Sequence, residues 1–495
     1  MNIRQWPARF HGLRVPMAHS RLVRTSLLLV MSISNPSASR RALLWLVALG
    51  FFMQTLDATI VNTALPAMAH DLDESPLRMH SVIVAYSLAM AVLIPASGWL
   101  ADRFGTRRVF MSAIALFVAG SVLCALAPSL SMLVGARVVQ GLGGALLLPV
   151  GRLAVLRAFP REEFIHAMSL VAIPGLLGPL IGPTLGGWMV EYASWHWIFW
   201  VNVPVGLLGL VMARRFMPMT EELIARRLDV AGYGLLAFGM AAVSLAVEGM
   251  AGGGFRGASA LVMLVFGVAS LAAYWLHASR SANPLFVPGL FQVRTLRVGL
   301  LGNLFSRLGS SCMPFMIPLV LQVSLDYTPM QAGMMMLPTV LGSMVAKPLV
   351  TRLVRRWGFR RVLVSNTCAL ALLIASLGVL SPALSPYLLI VQLTLFGAAN
   401  SMQFSAMNTV TLKDLDISQA SSGNSLLSMV QMLALGMGVA AAGAVLSSFE
   451  GYFGPAQQAL NAFRATFVCM GLLTLAATAL FLQLPAHESP DPGDS

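Results

Sequence analysis

Charge is the scarcest feature of this 495-residue chain: 10% of its residues are Asp, Glu, Lys or Arg, where a soluble domain carries about 25%. With 57% hydrophobic residues, it lacks the polar side chains needed to close its surface against water. A soluble enzyme, a disordered protein and a nucleic-acid binder are therefore excluded as first readings. Lysine is almost missing: only Lys347 and Lys413 stand among the 32 cations, which we read as composition rather than mechanism. Cysteine is sparse and scattered. Cys124, Cys312, Cys368 and Cys469 each lie in an apolar run without CxxC spacing, so they read as small buried hydrophobes, not as a disulfide framework or metal site. Helical HExxH, GxSxG and phosphate-loop patterns are missing, and so is a nucleotide-binding domain, which argues against catalysis and excludes ATP-driven transport. Alternating strand patterns are missing as well, which excludes a β-barrel.

What the chain does have is long apolar runs. A hydrocarbon core of about 30 Å needs about 20 apolar residues of helix. Fourteen runs meet that length, near 42–65, 79–100, 109–127, 131–154, 164–189, 195–213 and 230–249, then 257–278, 296–322, 330–350, 362–381, 386–411, 421–447 and 464–484. The cations lie between them. If the N-terminus is cytoplasmic, twenty-five of the 32 fall in inside segments, and only Arg78, Arg256 and Arg464 fall outside. That asymmetry places both termini inside and supports an even number of spans. Residues 1–40 form a basic extension with two open readings, a signal peptide or a start placed too early with Met31 as the true one. No function is assigned to it.

The loop after the second run reads Asp102-Arg103-Phe104-Gly105-Thr106-Arg107-Arg108-Val109, and the loop after the tenth reads Arg355-Arg356-Trp357-Gly358-Phe359-Arg360-Arg361-Val362. The offset is 253 residues throughout, with arginine, aromatic, glycine and paired arginines coinciding. The match equates runs one to six with runs nine to fourteen. The expected fold is an all-α polytopic membrane protein: two parallel six-helix bundles (41–216 and 294–484) around a central cavity, plus an inserted helix pair (217–293) and a polar tail (485–495). Paired six-helix repeats are the architecture of a secondary transporter.

Ionisable residues inside an apolar span are costly and mark function. Asp57 lies in the first run, about 22 Å up a helix rising 1.5 Å per residue. Arg137 lies in the fourth run, which travels the other way, at a matching depth. Two readings stand: a static structural pair, or a proton-coupling pair. Gln54 and Asn62 beside Asp57, Gln140 one turn after Arg137, Arg307 in the ninth run, and Gln403 and Asn408 in the twelfth are candidates for lining the cavity. In the fifth run Gly175, Gly178, Gly182 and Gly186 recur at steps of three, four and four, with Gly187 following and Pro174, Pro179 and Pro183 among them. The glycines make a smooth groove for another helix, and the prolines allow bending, which suits a moving or sealing interface more than plain packing. The turn at Gly98, Asp102, Arg103, Gly105, Arg107 and Arg108 is read as a conformational latch, with Asp102 paired to Arg103, Arg107 or Arg152, or else as a solvated loop.

These residues carry a resemblance over about 40–480. The chain resembles the major facilitator superfamily, specifically its fourteen-span drug:proton antiporter branch of the EmrB/QacA type and, within it, the MdtD group. Residues 98–108, 137–144 and 175–187 look like that superfamily's motifs A, B and C, and 56–66 looks like the branch's first-span motif. Trp195–Phe199 with Asn202 and Pro204 is similar to the branch too. The resemblance implies drug export from the bacterial inner membrane driven by the proton gradient without a cofactor. By it Asp57 and Arg137 would serve proton coupling and the 98–108 loop the conformational switch. The partners implied are small-molecule cargo, protons and the bilayer, with a functional monomer and no nucleic acid; the need for a periplasmic adaptor stays open. One departure matters. Exporters of cationic drugs in this branch often carry acidic residues in the C-terminal half, and none is placed inside here, whereas Arg307 is. That favours neutral or anionic cargo, unless Arg307 pairs with a carbonyl or snorkels. Export of one metabolite or a metal-chelate anion, or proton symport, are the competing readings.

Overall fold

The computed structural model describes residues 36–218, 228–249, 255–453 and 459–485, and every regular element among them is helical. Apolar surroundings explain this, because a backbone with no water to bond must satisfy its own N–H and C=O groups. The helices are α1 (Pro36–Asp71), α2 (His80–Leu93), α3 (Ser97–Phe104), α4 (Thr106–Ala125), α5 (Leu130–Ala158), α6 (Arg161–Tyr192), α7 (Trp197–Trp200) and α8 (Asn202–Phe216). They continue as α9 (Val230–Gly249), α10 (Phe255–Arg280), α11 (Arg294–Ser310), α12 (Met313–Ser324), α13 (Pro329–Met334), α14 (Leu337–Ala375), α15 (Pro386–Leu412), α16 (Ile417–Phe453) and α17 (Ala459–Phe481). Twelve helical stretches among the described residues are long and apolar enough to cross a membrane. One of them, Pro329–Val379, has 51 residues, too long for one crossing of an about 30 Å core, and it breaks at Gly358.

The internal repeat is visible in the backbone. Gly105 (φ 85°, ψ 142°) separates α3 from α4, and Gly358 (φ 76°, ψ 161°) breaks α14, 253 residues later. They are the positive-φ glycines among the described residues. This conformation is open essentially to glycine alone, so the repeated glycine is a repeated corner.

Helices α1–α8 pack as one unit, with α1 on α6, α5 on α4 and α2, and α8 on α1 and α4; α11–α17 form a second, with α14 on α15 and α17. Between them α2 meets α16, α6 meets α13, and α1 meets α12. Helices α9 and α10 pair, and α9 lies on the α2–α16 seam. At the end remote from the arginine loops, one apolar core runs through both units, joining Ile60, Leu65 and Met68 to Phe315, Leu319 and Phe463. At the arginine-rich end the core divides: one cluster holds Leu46, Phe110 and Leu147 with Leu426 and Met429 of α16, and the other holds Val298, Leu363, Met407 and Phe481. The halves are thus fused at one end and divided at the other, where α16 and Leu296 and Leu300 of α11 still join the first cluster.

One local expectation is corrected. Cys368 is exposed and Cys469 half-buried, while Cys124 and Cys312 are buried. The ninth run stands as one stretch long enough to cross, Arg294–Ser324, made of α11 and α12 with a turn at Ser311-Cys312. We expect Gly105→Ala and Gly358→Ala each to lose about 1–3 kcal/mol of stability in thermal unfolding of the purified protein. Gly98→Ala, with nothing within 4 Å of an added Cβ, should be neutral.

Candidate functional site

Asp57, Arg137 and Gln140 meet inside the first bundle. Arg137 and Gln140 are one turn apart on α5, so both face α1. Arg137 Nη1 donates to Asp57 Oδ2 at 2.7 Å and to Gln140 Oε1 at 2.6 Å. Gln140 Nε2 donates to Asp57 Oδ1 at 2.8 Å and to Ser121 Oγ of α4 at 2.7 Å. Asn202 at the start of α8 adds a bond to Asp57 Oδ1 at 3.2 Å. Arg137 Nε reaches the Val82 carbonyl at 3.3 Å, and its guanidinium lies 4.2 Å from the Tyr86 ring centre. Glycines permit this density: a Cβ on Gly120 would strike the Gln140 backbone, and one on Gly141 would lie 2.6 Å from the Tyr86 carbonyl oxygen.

The network is sealed. Asp57 and Gln140 are 0% exposed and Arg137 is 1% exposed. The expectation that Gln140 lines the cavity is therefore corrected: depth along a helix follows from residue counting, but azimuth does not. Asp57 shares the face of Ile60, Val61 and Ala64, all buried. The open strip of α1 is one step round, at half-buried Gln54, whose Oε1 is without a hydrogen-bond partner, and at exposed Ala58. Asn62, itself buried, bonds back to the Ala58 carbonyl at 3.4 Å. Asn202, Ser121 and Tyr86 were not singled out as site residues. Asn202 left a signal, a lone amide opening an apolar run.

The latch partner is also corrected. Asp102 Oδ1 pairs with Arg157 Nη2 at 2.6 Å, not with Arg103, Arg107 or Arg152. Arg157 sits in the last turn of α5, level with the end of α3, whereas Arg152 lies more than one turn deeper and forms no ion pair among the described residues. Arg107 instead donates to the Arg214 carbonyl at the end of α8, while Arg103 and Arg108 are exposed. Gly98 is exposed, and Gly105 forms the corner.

Helix α6 has two working faces. Along one, Gly175, Gly178, Gly182 and Gly186 receive Phe51, Thr55, Thr59 and Ile60 of α1, each so close that a Cβ would clash. Thr59 Oγ1 bonds the Gly178 carbonyl at 3.3 Å, which ties the groove to α1. Along the other, Pro183, Thr184 and Gly187 meet α13 of the second bundle: Thr184 Oγ1 reaches the Gly333 carbonyl at 3.5 Å, and Gly187 abuts Pro329. Pro174, Pro179 and Pro183 all lie inside this helix, which stays continuous through them. Nearby, Glu191 accepts the Met330 N–H at 3.1 Å, and Gln322 Nε2 donates to the Thr63 carbonyl at 3.1 Å.

In the second bundle Arg307 lies 5.0 Å from the Phe404 ring centre with no carboxylate partner among the described residues, and its buried Nε is unbonded. Asn408 accepts from Gln431 at 2.6 Å, and Gln431 reaches Asn303, one turn before Arg307, at 3.5 Å. Gln403 is 1% exposed and knotted to Asn366 and Thr367 at 2.7 Å each, so it packs the bundle interior and lines no cavity. Among the described residues no group of three or more His, Cys, Asp or Glu could hold a metal ion.

A double-mutant cycle measures how far the buried pair is mutually dependent. Arg137→Gln strands the Asp57 carboxylate and should cost about 3–5 kcal/mol in thermal unfolding, whereas Asp57→Asn/Arg137→Gln should regain at least half of that loss.

The sequence profile of the Major Facilitator Superfamily matches residues 47–438 and 299–495. The chain is 49% identical over 454 residues to the MdtD multidrug resistance protein of Serratia proteamaculans, covering 91% of this chain and 94% of that one. It is 48% identical over 454 residues to its counterpart in Yersinia enterocolitica, covering 90% and 95%. The fold resembles the crystal structure of a D-xylose-proton symporter, with TM-score 0.65, 14% identity, and 90% of this chain and 98% of that chain covered. The chain is a multi-pass membrane transporter that belongs to the Major Facilitator Superfamily, in the group of the MdtD multidrug resistance proteins.

Proposed function

We propose that this protein is a proton-coupled efflux antiporter that exports small amphiphilic or anionic compounds across the bacterial inner membrane by alternating access. The observation that carries the reading is the sealed Asp57–Arg137–Gln140 network inside a bundle that must move against its partner. Fourteen crossings follow if Pro329–Val379 counts as two around Gly358 and α6 is added. The cation asymmetry then puts the arginine-rich end and both termini in the cytoplasm. The parted cores open toward the cytoplasm, and the contacts of α6 with α13 and of Thr63 with Gln322 close the periplasmic end.

A proton on Asp57 removes the counter-charge of Arg137 while the guanidinium stays buried with only the neutral Gln140 amide and the Val82 carbonyl to accept from it. That state is costly, and it is relieved if α1 shifts against α5. Helix α1 also carries Thr63, whose carbonyl holds Gln322 across the closed end, so the same shift loosens the seal. The glycine groove of α6 gives α1 a smooth track. The proton gradient supplies the energy, and no cofactor is needed. In this reading cargo enters between Gln54 and Ala58 of α1 and Arg307 and Phe404 of the second bundle, where Arg307 has no carboxylate partner among the described residues.

Uptake into inverted vesicles tests the reading. Asp57→Asn should abolish dependence on the proton gradient while leaving cargo binding intact; retained coupling overturns the proton assignment. Arg307→Ala should cut transport of an anionic cargo about tenfold or more while sparing a neutral one. Equal loss for both overturns the cargo assignment.

A further inference from the structure

The repeat changes one charge, and the structure shows the result. In the first bundle Asp102, at the corner before Gly105, pairs with Arg157, 28 residues after the N-cap Ser129 of its helix. In the second bundle the residue before the corner, 253 positions later, is Arg355. The residue 28 positions after the N-cap Ser385 of α15 is Lys413. The place of an ion pair is therefore held by two cations. They line one cavity of about 430 Å³ at the arginine-rich end, together with Thr295, Phe359, Val410 and Asp414. Neither cation forms an ion pair with Asp414 or any other described residue. Thr295 is 5% exposed, and its hydroxyl has no partner. It is the second residue of α11, so the usual back-bond to a carbonyl one turn earlier in the helix does not exist for it.

We propose that this pocket holds the phosphodiester headgroup of an anionic phospholipid, with its phosphate between Arg355 and Lys413 and accepting from Thr295. The anionic charge missing from the repeat is thereby supplied from outside the chain. The apolar wall at Phe359 and Val410 suits the glycerol and first methylenes, which free phosphate lacks. The proposal rests on the reading that this end faces the inner leaflet, where anionic lipid concentrates. The lipid clamps the corner of the second bundle as the Asp102–Arg157 pair clamps the first.

The test uses the full chain in neutral phosphatidylcholine nanodiscs, titrated with phosphatidylglycerol or with inorganic phosphate, with thermal unfolding as the readout. Phosphatidylglycerol should raise the unfolding temperature. Arg355→Gln and Lys413→Gln should each weaken its apparent affinity about fivefold. Thr295→Val should weaken the response while leaving the lipid-free protein at least as stable. Arg355→Asp, which restores the pairing of the first bundle, should stabilise the lipid-free protein and abolish the response. An equal loss in the control Arg352→Gln/Arg361→Gln, an effect reproduced by inorganic phosphate, or a retained response in Arg355→Asp would each overturn the proposal. No cargo or gradient enters the assay, so its outcome is independent of proton antiport.

Discussion

A carboxylate and a guanidinium held entirely out of solvent set the terms for the first bundle. Neither charge is tolerable alone at that depth, so every helix around them must bring a polar partner or give way. Helix α5 brings Gln140, α4 brings Ser121, α8 brings Asn202, α2 brings the Val82 carbonyl and the Tyr86 ring. The glycines of α4 and α5 give way instead, letting backbones close to contact distance. Buried polar networks are costly unless every member is satisfied. This one is satisfied around Asp57 on both oxygens, so removing either charged partner strands the other.

The two bundles share a plan and diverge in chemistry. Each turns a corner on a glycine in a backbone region closed to other residues, and each places a cation at the end of the long helix beside that corner. The first bundle then adds an acid and a buried ion pair. The second carries neutral amide clusters, Gln403 with Asn366 and Asn408 with Gln431, and leaves Arg307 without a carboxylate partner among the described residues. One half pairs its buried charge internally, while the buried cation of the other has no carboxylate partner among the described residues. Helix α6 joins the two behaviours, because its glycines ride on α1 and its far end closes on α13.

Much of this was legible in the residues. Span lengths, the asymmetry of arginine and the 253-residue repeat follow from hydrocarbon thickness and helix rise, which act on the chain one segment at a time. The pairing of Asp57 with Arg137 was legible for the same reason, since equal depth on antiparallel helices is arithmetic. The four-step glycine spacing of α6 announced a groove, though it could not say that α1 fills one side and α13 the other.

The sequence by itself determined which segments are long and apolar enough to cross a bilayer and where along them the charges sit, because the bilayer imposes a one-dimensional coordinate that counting can follow. Tertiary structure alone decided rotation about each helix axis and the neighbours met there. It turned Gln140 and Gln403 into bundle interiors, gave Asp102 to Arg157, brought Asn202 to Asp57, and set Arg355 beside Lys413. A helix of fixed depth can still present any face, and only packing against its neighbours chooses which one.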